Sequence, residues 1–144
     1  MKLFSIRKIK AKEAFMKALT IWQPYADAIA KGLKHYETRC WRTHFRGTLA
    51  IHAACRKMNP FDEILAEKYD LNPEKFGQVV AFAEITDCIL MTPQFLSSLR
   101  EQELDLGFYK EGRYAWKLEN IRLPHKEIII PGKQGLWNLD DALI

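Results

Sequence analysis

The sequence predicts an α+β fold, a small mixed β-barrel with two or three helices inserted at the turns. Many short segments alternate apolar and polar residues, which is typical of half-buried strands. Pairs such as Asn59-Pro60 and Thr92-Pro93, which favour helix starts, fall between those segments. No internal repeat, linker or low-complexity tract divides the chain. A single small barrel accounts for all three observations.

Six strands are predicted from the alternation, at residues 17–22, 36–41, 48–54, 77–91, 114–123 and 127–130. The fourth is long and rich in β-branched and small residues, so we expect one bent strand. The strands are expected to close around a core that includes Leu19, Ile21, Leu49, Ile51 and Val79. Trp137 is also assigned to the core.

Three helices are predicted between the strands. The first follows Pro24, and Gly32 is placed where a left-handed C-terminal cap is expected. The second and third begin at the N-cap residues Asn59 and Thr92, each followed by proline. The charged segment 101–112 contains two glycines and is predicted to be a loop that covers one end of the barrel.

The composition indicates an ordinary soluble globular domain. The chain has 144 residues, 48% hydrophobic and 28% charged, which suffices for one core. Its net charge of +4 favours polyanionic partners only weakly. The three cysteines are far apart, which argues against a disulfide framework or a zinc knuckle, and the four histidines match no metal-ligand spacing. With no signal core or membrane span apparent, we predict a cytoplasmic protein without metal or cofactor.

The stretch from Thr20 to Trp41 contains the densest group of candidate functional residues. Along a strand beginning near residue 36, alternation places Glu37, Arg39 and Trp41 on one face. A carboxylate and a guanidinium group can then pair, and Lys34 lies in the turn just before them. These groups are predicted to form the floor of a small polar pocket.

The residues Gly32, Lys34, Glu37 and Arg39 spell the pattern Gly-x-Lys-x-x-Glu-x-Arg, which resembles the signature of the ASCH domain, a family named for homology to a transcriptional cointegrator. Segments 18–25, 46–54 and 132–137 also resemble that family, in the same order. The resemblance covers roughly residues 16–139 and implies a PUA-like β-barrel. It divides the chain into an N-terminal extension, residues 1–15, and an ASCH domain, residues 16–144. The extension is expected to be either a loose basic tail or a segment packed on the barrel, and we favour partial order.

Each candidate residue also has a purely structural interpretation. Lys34 is either a desolvated amine that acts as a base or a surface lysine paired with Glu37. Glu37 and Arg39 either serve a site or simply link two strands. Glu84 interrupts an apolar strand, and alternation suggests that it points inward toward Lys34 or Arg39. The aromatic rings either stack on a base or fill the core.

ASCH membership implies that the cleft beside the motif binds RNA or a nucleotide-like ligand, such as a modified nucleoside. The ligand-binding candidates are Trp22, Gln23, Tyr25, Lys34, Glu37, Arg39, His52 and Trp116. The alternative is a small hydrolase, either a ribonuclease or an enzyme similar to the family's bacterial N4-acetylcytidine amidohydrolases. Its catalytic candidates are Lys34, Glu37 and Glu84.

That amidohydrolase branch uses a lysine, a threonine three residues later and a distant glutamate. Here Lys34 matches the lysine and Glu84 is the candidate for the glutamate. Glu37 occupies the threonine position, however, and Thr38 follows one residue later, where alternation turns it to the other face. The resemblance therefore leaves both binding and hydrolysis open.

Overall fold

The computed structural model describes residues 14–144. Within that range the strands are β1 Phe15–Ile21, β2 Tyr36–Arg39, β3 Gly47–Ala53, β4 Gln78–Leu90, β5 Tyr114–Arg122 and β6 Leu136–Asp140. The α-helices are α1 Tyr25–Ala30, α2 Pro60–Lys68, α3 Pro93–Ser97 and α4 Glu101–Asp105. A short 3₁₀ helix, Asp141–Leu143, ends the described chain.

The strands form one mixed sheet, in the order β2-β5-β4-β3-β1-β6, that curls into a half-barrel. Strands β1 and β3 run parallel, and the other neighbouring pairs are antiparallel. Strand β4 is continuous, but bulges occur between Phe82 and Glu84 and between Ile85 and Asp87. The predicted α+β, PUA-like class is confirmed.

Both faces of the central strands are buried, because α1 packs on one face and the segment around Ile128 and Ile130 packs on the other. On β3, Leu49 and Ile51 belong to the main core cluster, whereas Ala50 belongs to a second cluster around Trp137. Of the predicted core residues, Val79 and Trp137 lie in the second cluster rather than the first. Trp137 is buried as predicted.

The helix termini follow the predicted local signals. Gly32 adopts a left-handed φ of +75° after α1, so that glycine suits this stop. The Asn59 side chain accepts from the Asp62 N–H at 2.8 Å, and Asp62 in turn accepts from the Asn59 N–H at 3.1 Å. This reciprocal capping box fixes the start of α2. Thr92 caps α3 by accepting from the Phe95 N–H at 3.1 Å.

The structure differs from the sequence prediction at two connections. The segment 101–112 is not a simple loop, since its first five residues form α4. The segment 127–130 is not a strand of the sheet. Its Ile129 makes one isolated bridge with Gln78, and the edge beside β1 is occupied by β6 instead.

Residue 15, which we predicted to belong to the extension, begins β1, while residues 1–13 of that extension lie outside the described residues. In the described part of the chain, no helix has the length and apolar character needed to span a membrane.

Candidate nucleotide-binding cavity

A cavity of about 1090 Å³ lies between the end of β1, strand β2, the start of α2 and the loop that follows α4. Five cationic side chains line it, namely Lys34, Arg39, Arg56, Arg113 and Lys133. Three carboxylates also line it, namely Glu37, Asp62 and Asp105. The walls therefore carry an excess of positive charge. Within residues 14–144, no group of His, Cys, Asp and Glu side chains is arranged to hold a metal ion.

Lys34 provides a buried amine at the floor of this cavity. Its side chain is only 2% exposed, its Nζ donates a hydrogen bond to the Leu106 carbonyl, and Nζ lies 3.7 Å from Glu37 Oε1. Burial lowers the pKa of Lys34 below the ordinary lysine value, and the nearby carboxylates of Glu37 and Glu103 oppose that shift. Lys34 is thus not the surface lysine of the alternative interpretation.

Glu37 and Arg39 pair on one face of β2, as strand alternation predicts. Glu37 Oε2 accepts from Arg39 Nε at 3.2 Å and from Nη2 at 2.9 Å, while Oε1 accepts from the Thr38 N–H at 3.2 Å. Arg39 Nη2 also donates to the Thr20 carbonyl at 3.3 Å. Arg39 therefore links β2 to the end of β1 and is held at the cavity wall.

Glu103 stabilises the turn that carries Lys34. This buried carboxylate accepts from the His35 backbone N–H at 3.0 Å, contacts the His35 ring, and accepts from the Tyr109 hydroxyl at 3.3 Å. Burial raises the pKa of Tyr109, and the charge of Glu103 adds to that effect. Glu103 thereby fixes α4 against the turn that carries Lys34.

The loop after α4 approaches Lys34 so closely that Gly107 has no room for a side chain. A Cβ there would lie 2.7 Å from Tyr109 Cε2, 3.0 Å from Thr38 Cγ2 and 3.3 Å from Lys34 Nζ. The next residue, Phe108, donates its backbone N–H to Thr38 Oγ1 at 2.9 Å. Thr38 therefore borders the cavity as well, although alternation placed it on the opposite face.

Aromatic side chains also line the cavity. Trp22 and Trp41 line the cavity and are 54% and 38% exposed, so their rings remain accessible. Tyr25 also lines it and donates its hydroxyl to Asp62 Oδ1 at 3.1 Å. Burial and this bond to the carboxylate raise the pKa of Tyr25 to about 12. The hydroxyl therefore remains a donor at neutral pH.

Three predicted ligand-binding residues do not line the cavity. Gln23 is buried and spans two backbone groups, donating to the Lys75 carbonyl at 2.9 Å and accepting from the Asp27 N–H at 2.8 Å. Trp116 is fully buried in the main core and donates its indole N–H to the Trp41 carbonyl at 3.3 Å. The third is His52. Gln23 and Trp116 therefore stabilise the segments that contain the cavity residues Trp22 and Trp41.

His52 occupies a buried network behind the cavity wall. Its Nε2 lies 2.6 Å from the Ile130 carbonyl, so Nε2 must carry the proton, and Nδ1 is left to accept from the Thr20 hydroxyl at 3.2 Å. Thr20 in turn accepts from the Trp137 indole at 3.1 Å. Burial lowers the pKa of His52, which keeps the ring neutral. This geometry assigns His52 to the framework.

Glu84 is also remote from the cavity lining. Its Oε2 accepts from the Asn120 side chain at 3.0 Å near the protein surface, and the carboxylates that act on Lys34 are those of Glu37 and Glu103. The predicted pairing of Glu84 with Lys34 or Arg39 is therefore wrong. Alternation did place Glu84 on the same face as Phe82, but that face belongs to the second core cluster and does not border the cavity.

A family model described as the ASCH domain matches residues 19–125. The chain belongs to the ASCH domain family.

Two curated relatives of this ASCH domain are named activating signal cointegrator 1. The human protein is 27% identical over 135 residues and the mouse protein 26%, each match covering 87% of this chain. The aligned region spans only 22% of either relative, so the likeness concerns one part of a much longer protein.

Among solved structures, the crystal structure of ASCH from Zymomonas mobilis shares the fold with a TM-score of 0.51 and 18% identity. That match covers 89% of this chain and 90% of the other.

Sequence reasoning missed several residues of the ASCH cavity. Arg56 comes from the loop before α2, and Asp62 comes from the first turn of that helix. Gly107 comes from the segment predicted as a loop, as does Glu103, which contacts the turn that carries Lys34 without lining the cavity. The capping signal at Asn59 had marked where α2 begins, but it gave no sign that α2 would form a cavity wall. For Gly107 the only local signal was a glycine within a charged segment.

Proposed function

We propose that this cavity binds a nucleotide-containing ligand, either a segment of RNA or a modified nucleoside. The observation that carries the proposal is the placement of a buried, cavity-lining Lys34 amine beside Arg39, with the exposed ring of Trp41 in the same lining. Aromatic rings stack on nucleobases, and guanidinium and ammonium groups bind phosphate or base oxygens.

The open lining of the cavity favours RNA over a single nucleoside. Pockets for small molecules usually enclose about 300–1,000 Å³ and bury most of the ligand. The cavity here, of about 1090 Å³, matches the upper end of that range, but its walls include exposed rings rather than a closed apolar shell. Single-stranded RNA, whose bases are free to stack on protein side chains, suits such a site better than a duplex does.

Lys34→Met tests this proposal, because methionine preserves the packing of the stem and removes the charge. Binding of fluorescein-labelled single-stranded RNA is measured by anisotropy, and a panel of nucleosides and nucleotides by calorimetry. We expect the variant to bind RNA at least about tenfold more weakly, as for the loss of one charge-assisted hydrogen bond.

Lys31→Met is the matched control, since Lys31 pairs with Asp27 on the surface of α1 and does not line the cavity. It should bind like the wild-type chain. Equal binding by all three proteins, or no binding by the wild-type chain to any member of the panel, would contradict the proposal.

A second candidate function, hydrolysis of an acylated nucleobase or of RNA, is supported by the chemistry of Lys34 itself. Burial favours the neutral amine, which is the form that can act as a base, and the charge of Glu37 at 3.7 Å stabilises the amine once it has taken up a proton. In this version Glu37 replaces Glu84 as the partner.

Incubation with N4-acetylcytidine and with RNA, followed by chromatography of the products, tests hydrolysis. Turnover should fall by about 10²–10⁴-fold in Lys34→Met, as for loss of a general base, and should be unchanged in Glu84→Gln. Absence of product with the wild-type chain would exclude this second function and leave the binding proposal in place.

A further inference from the structure

The outer wall of the cavity carries an arginine stacked on an exposed tryptophan. The guanidinium carbon of Arg56 lies 3.9 Å from the centroid of the Trp22 ring. Although Arg56 covers one face of the indole, Trp22 is still 54% exposed, and both residues line the cavity. An aromatic ring and a guanidinium plane are the two surfaces on which unpaired nucleobases stack.

A buried carboxylate holds this arginine in place. Asp62 Oδ2 accepts from Arg56 Nη1 at 3.1 Å and from the Asn59 N–H at 3.1 Å, and Oδ1 accepts from the Tyr25 hydroxyl at 3.1 Å. The Asp62 side chain is only 4% exposed, so the anchor is rigid. Arg56 is therefore ordered before any ligand arrives, which reduces the entropy lost on binding.

Most of the hydrogen-bonding capacity of Arg56 remains unused. Within residues 14–144, only Nη1 donates to a protein acceptor, and an arginine carries five N–H donors. A guanidinium group that is oriented by a carboxylate on one edge and open on the other matches the geometry of a phosphate.

The pair lies next to the group of residues that carries the proposed function. Arg39 reaches the Thr20 carbonyl, and Trp22 follows two residues further along the same extended segment. By the rise of a strand, those two backbone positions are about 7 Å apart. Both guanidinium groups therefore line one cavity, and each contacts a residue of the short segment 20–22.

We propose that Trp22 and Arg56 form a second nucleotide subsite that extends the Lys34 and Arg39 site. Arg56 binds the phosphate of one nucleotide and the exposed surface of Trp22 stacks on its base. The ligand is then a single-stranded polynucleotide that spans both subsites, rather than an isolated nucleoside. This inference rests on the proposed function and specifies its ligand.

The test compares a labelled mononucleotide with single-stranded oligonucleotides of two, three and four residues. The wild-type chain should bind the longer ligands more tightly than the mononucleotide, which occupies the Lys34 and Arg39 subsite alone. In Trp22→Ala we expect the gain in affinity with ligand length to fall by about 5- to 150-fold, which is the range for the loss of one stacked base. The affinity for the mononucleotide should not change.

Arg56→Gln separates the phosphate contact from the stacking contact. Each phosphate contact to a single strand contributes about −0.7 to the slope of log K against log salt concentration, so this variant should reduce the magnitude of the slope by about 0.7. Arg56→Lys should retain the slope, and Trp22→Phe should retain much of the stacking. Both conservative variants keep the test valid if a larger change impairs folding.

Arg122→Gln is the control, because Arg122 also lies over an aromatic ring, that of Phe82, but outside the cavity lining. It should behave like the wild-type chain. Suppose that Trp22→Ala and Arg56→Gln keep the full gain in affinity with ligand length, while Lys34→Met weakens the binding of every ligand. The second subsite is then refuted and the proposed function stands. If Lys34→Met has no effect, or the wild-type chain binds none of the ligands, both proposals fall.

Discussion

Replacing Lys34 with methionine should change how the stability of the domain depends on pH. The folded chain holds the Lys34 amine in a buried site that lowers its pKa below 10.5, whereas in the unfolded chain the amine is in water. Between those two pKa values the unfolded chain binds more protons than the folded chain. The free energy of unfolding of the wild-type protein must therefore rise as the pH increases through that interval.

The size of the effect follows from one proton and one hydrogen bond. A single group gives a slope of at most about 1.4 kcal/mol per pH unit, and a total of about 1.4 kcal/mol for each unit by which the pKa is lowered. Methionine carries no proton and so lacks this slope. It also leaves the Leu106 carbonyl without the Lys34 donor, which costs about 1–3 kcal/mol at every pH.

Urea unfolding of both proteins at half-unit steps from pH 7 to pH 10.5 measures the difference in the free energy of unfolding. Tyr25, whose pKa is raised to about 12, and the other titrating groups are common to both chains and cancel. We expect the difference to grow in favour of the wild-type protein as the pH rises. Parallel profiles for wild type and Lys34→Met, with Lys31→Met as control, would refute the burial argument for this lysine.

Four further predictions concern the framework of the site and the segments next to it. Because burial lowers the pKa of His52, stability should decline as the pH falls below about 6.5, and thermal melts of His52→Gln should show a smaller decline. Gly107→Ala should cost about 1–3 kcal/mol in urea unfolding, from overpacking, and should also weaken RNA binding. Gly112→Ala, which has open space but a φ of +89°, should cost about 1–2 kcal/mol without affecting binding. Asn59→Ala should cost about 1 kcal/mol, and an unchanged melting temperature would show that the capping box is dispensable.

The sequence alone predicted the parts of the site that depend on neighbouring residues. Glu37 and Arg39 meet because they are two residues apart on a strand, and Gly32 ends α1 because it tolerates a left-handed backbone. Glu103 contacts His35 across 68 positions, and Lys34 contacts the Leu106 carbonyl across 72. Such pairings are set by how the strands are ordered, and no local pattern encodes them.

Strand alternation also failed where both faces of the sheet are buried. Alternation correctly separated His52 from Leu49 and Ile51, but the face opposite those residues belongs to the second core cluster and not to a cavity. At Glu84 alternation correctly selected the face shared with Phe82, but that face belongs to the second core cluster and does not border the cavity. The fold class was more predictable than the direction of single side chains, because the fold class depends on many segments together.

The segment that covers Lys34 is the connection between two neighbouring strands, and its two ends lie side by side. Strands β4 and β5 are hydrogen-bonded neighbours, and the Met91 N–H donates to the Arg113 carbonyl at 2.8 Å, while the Gly112 N–H donates to the Met91 carbonyl at 3.0 Å. Changes in the length or sequence of residues 92–112 that preserve the buried contacts of Glu103 and Leu106 should therefore leave the sheet in place. One wall of the cavity can thus vary in sequence while the sheet is kept. Descendants of this chain can therefore acquire a new ligand preference on the same half-barrel.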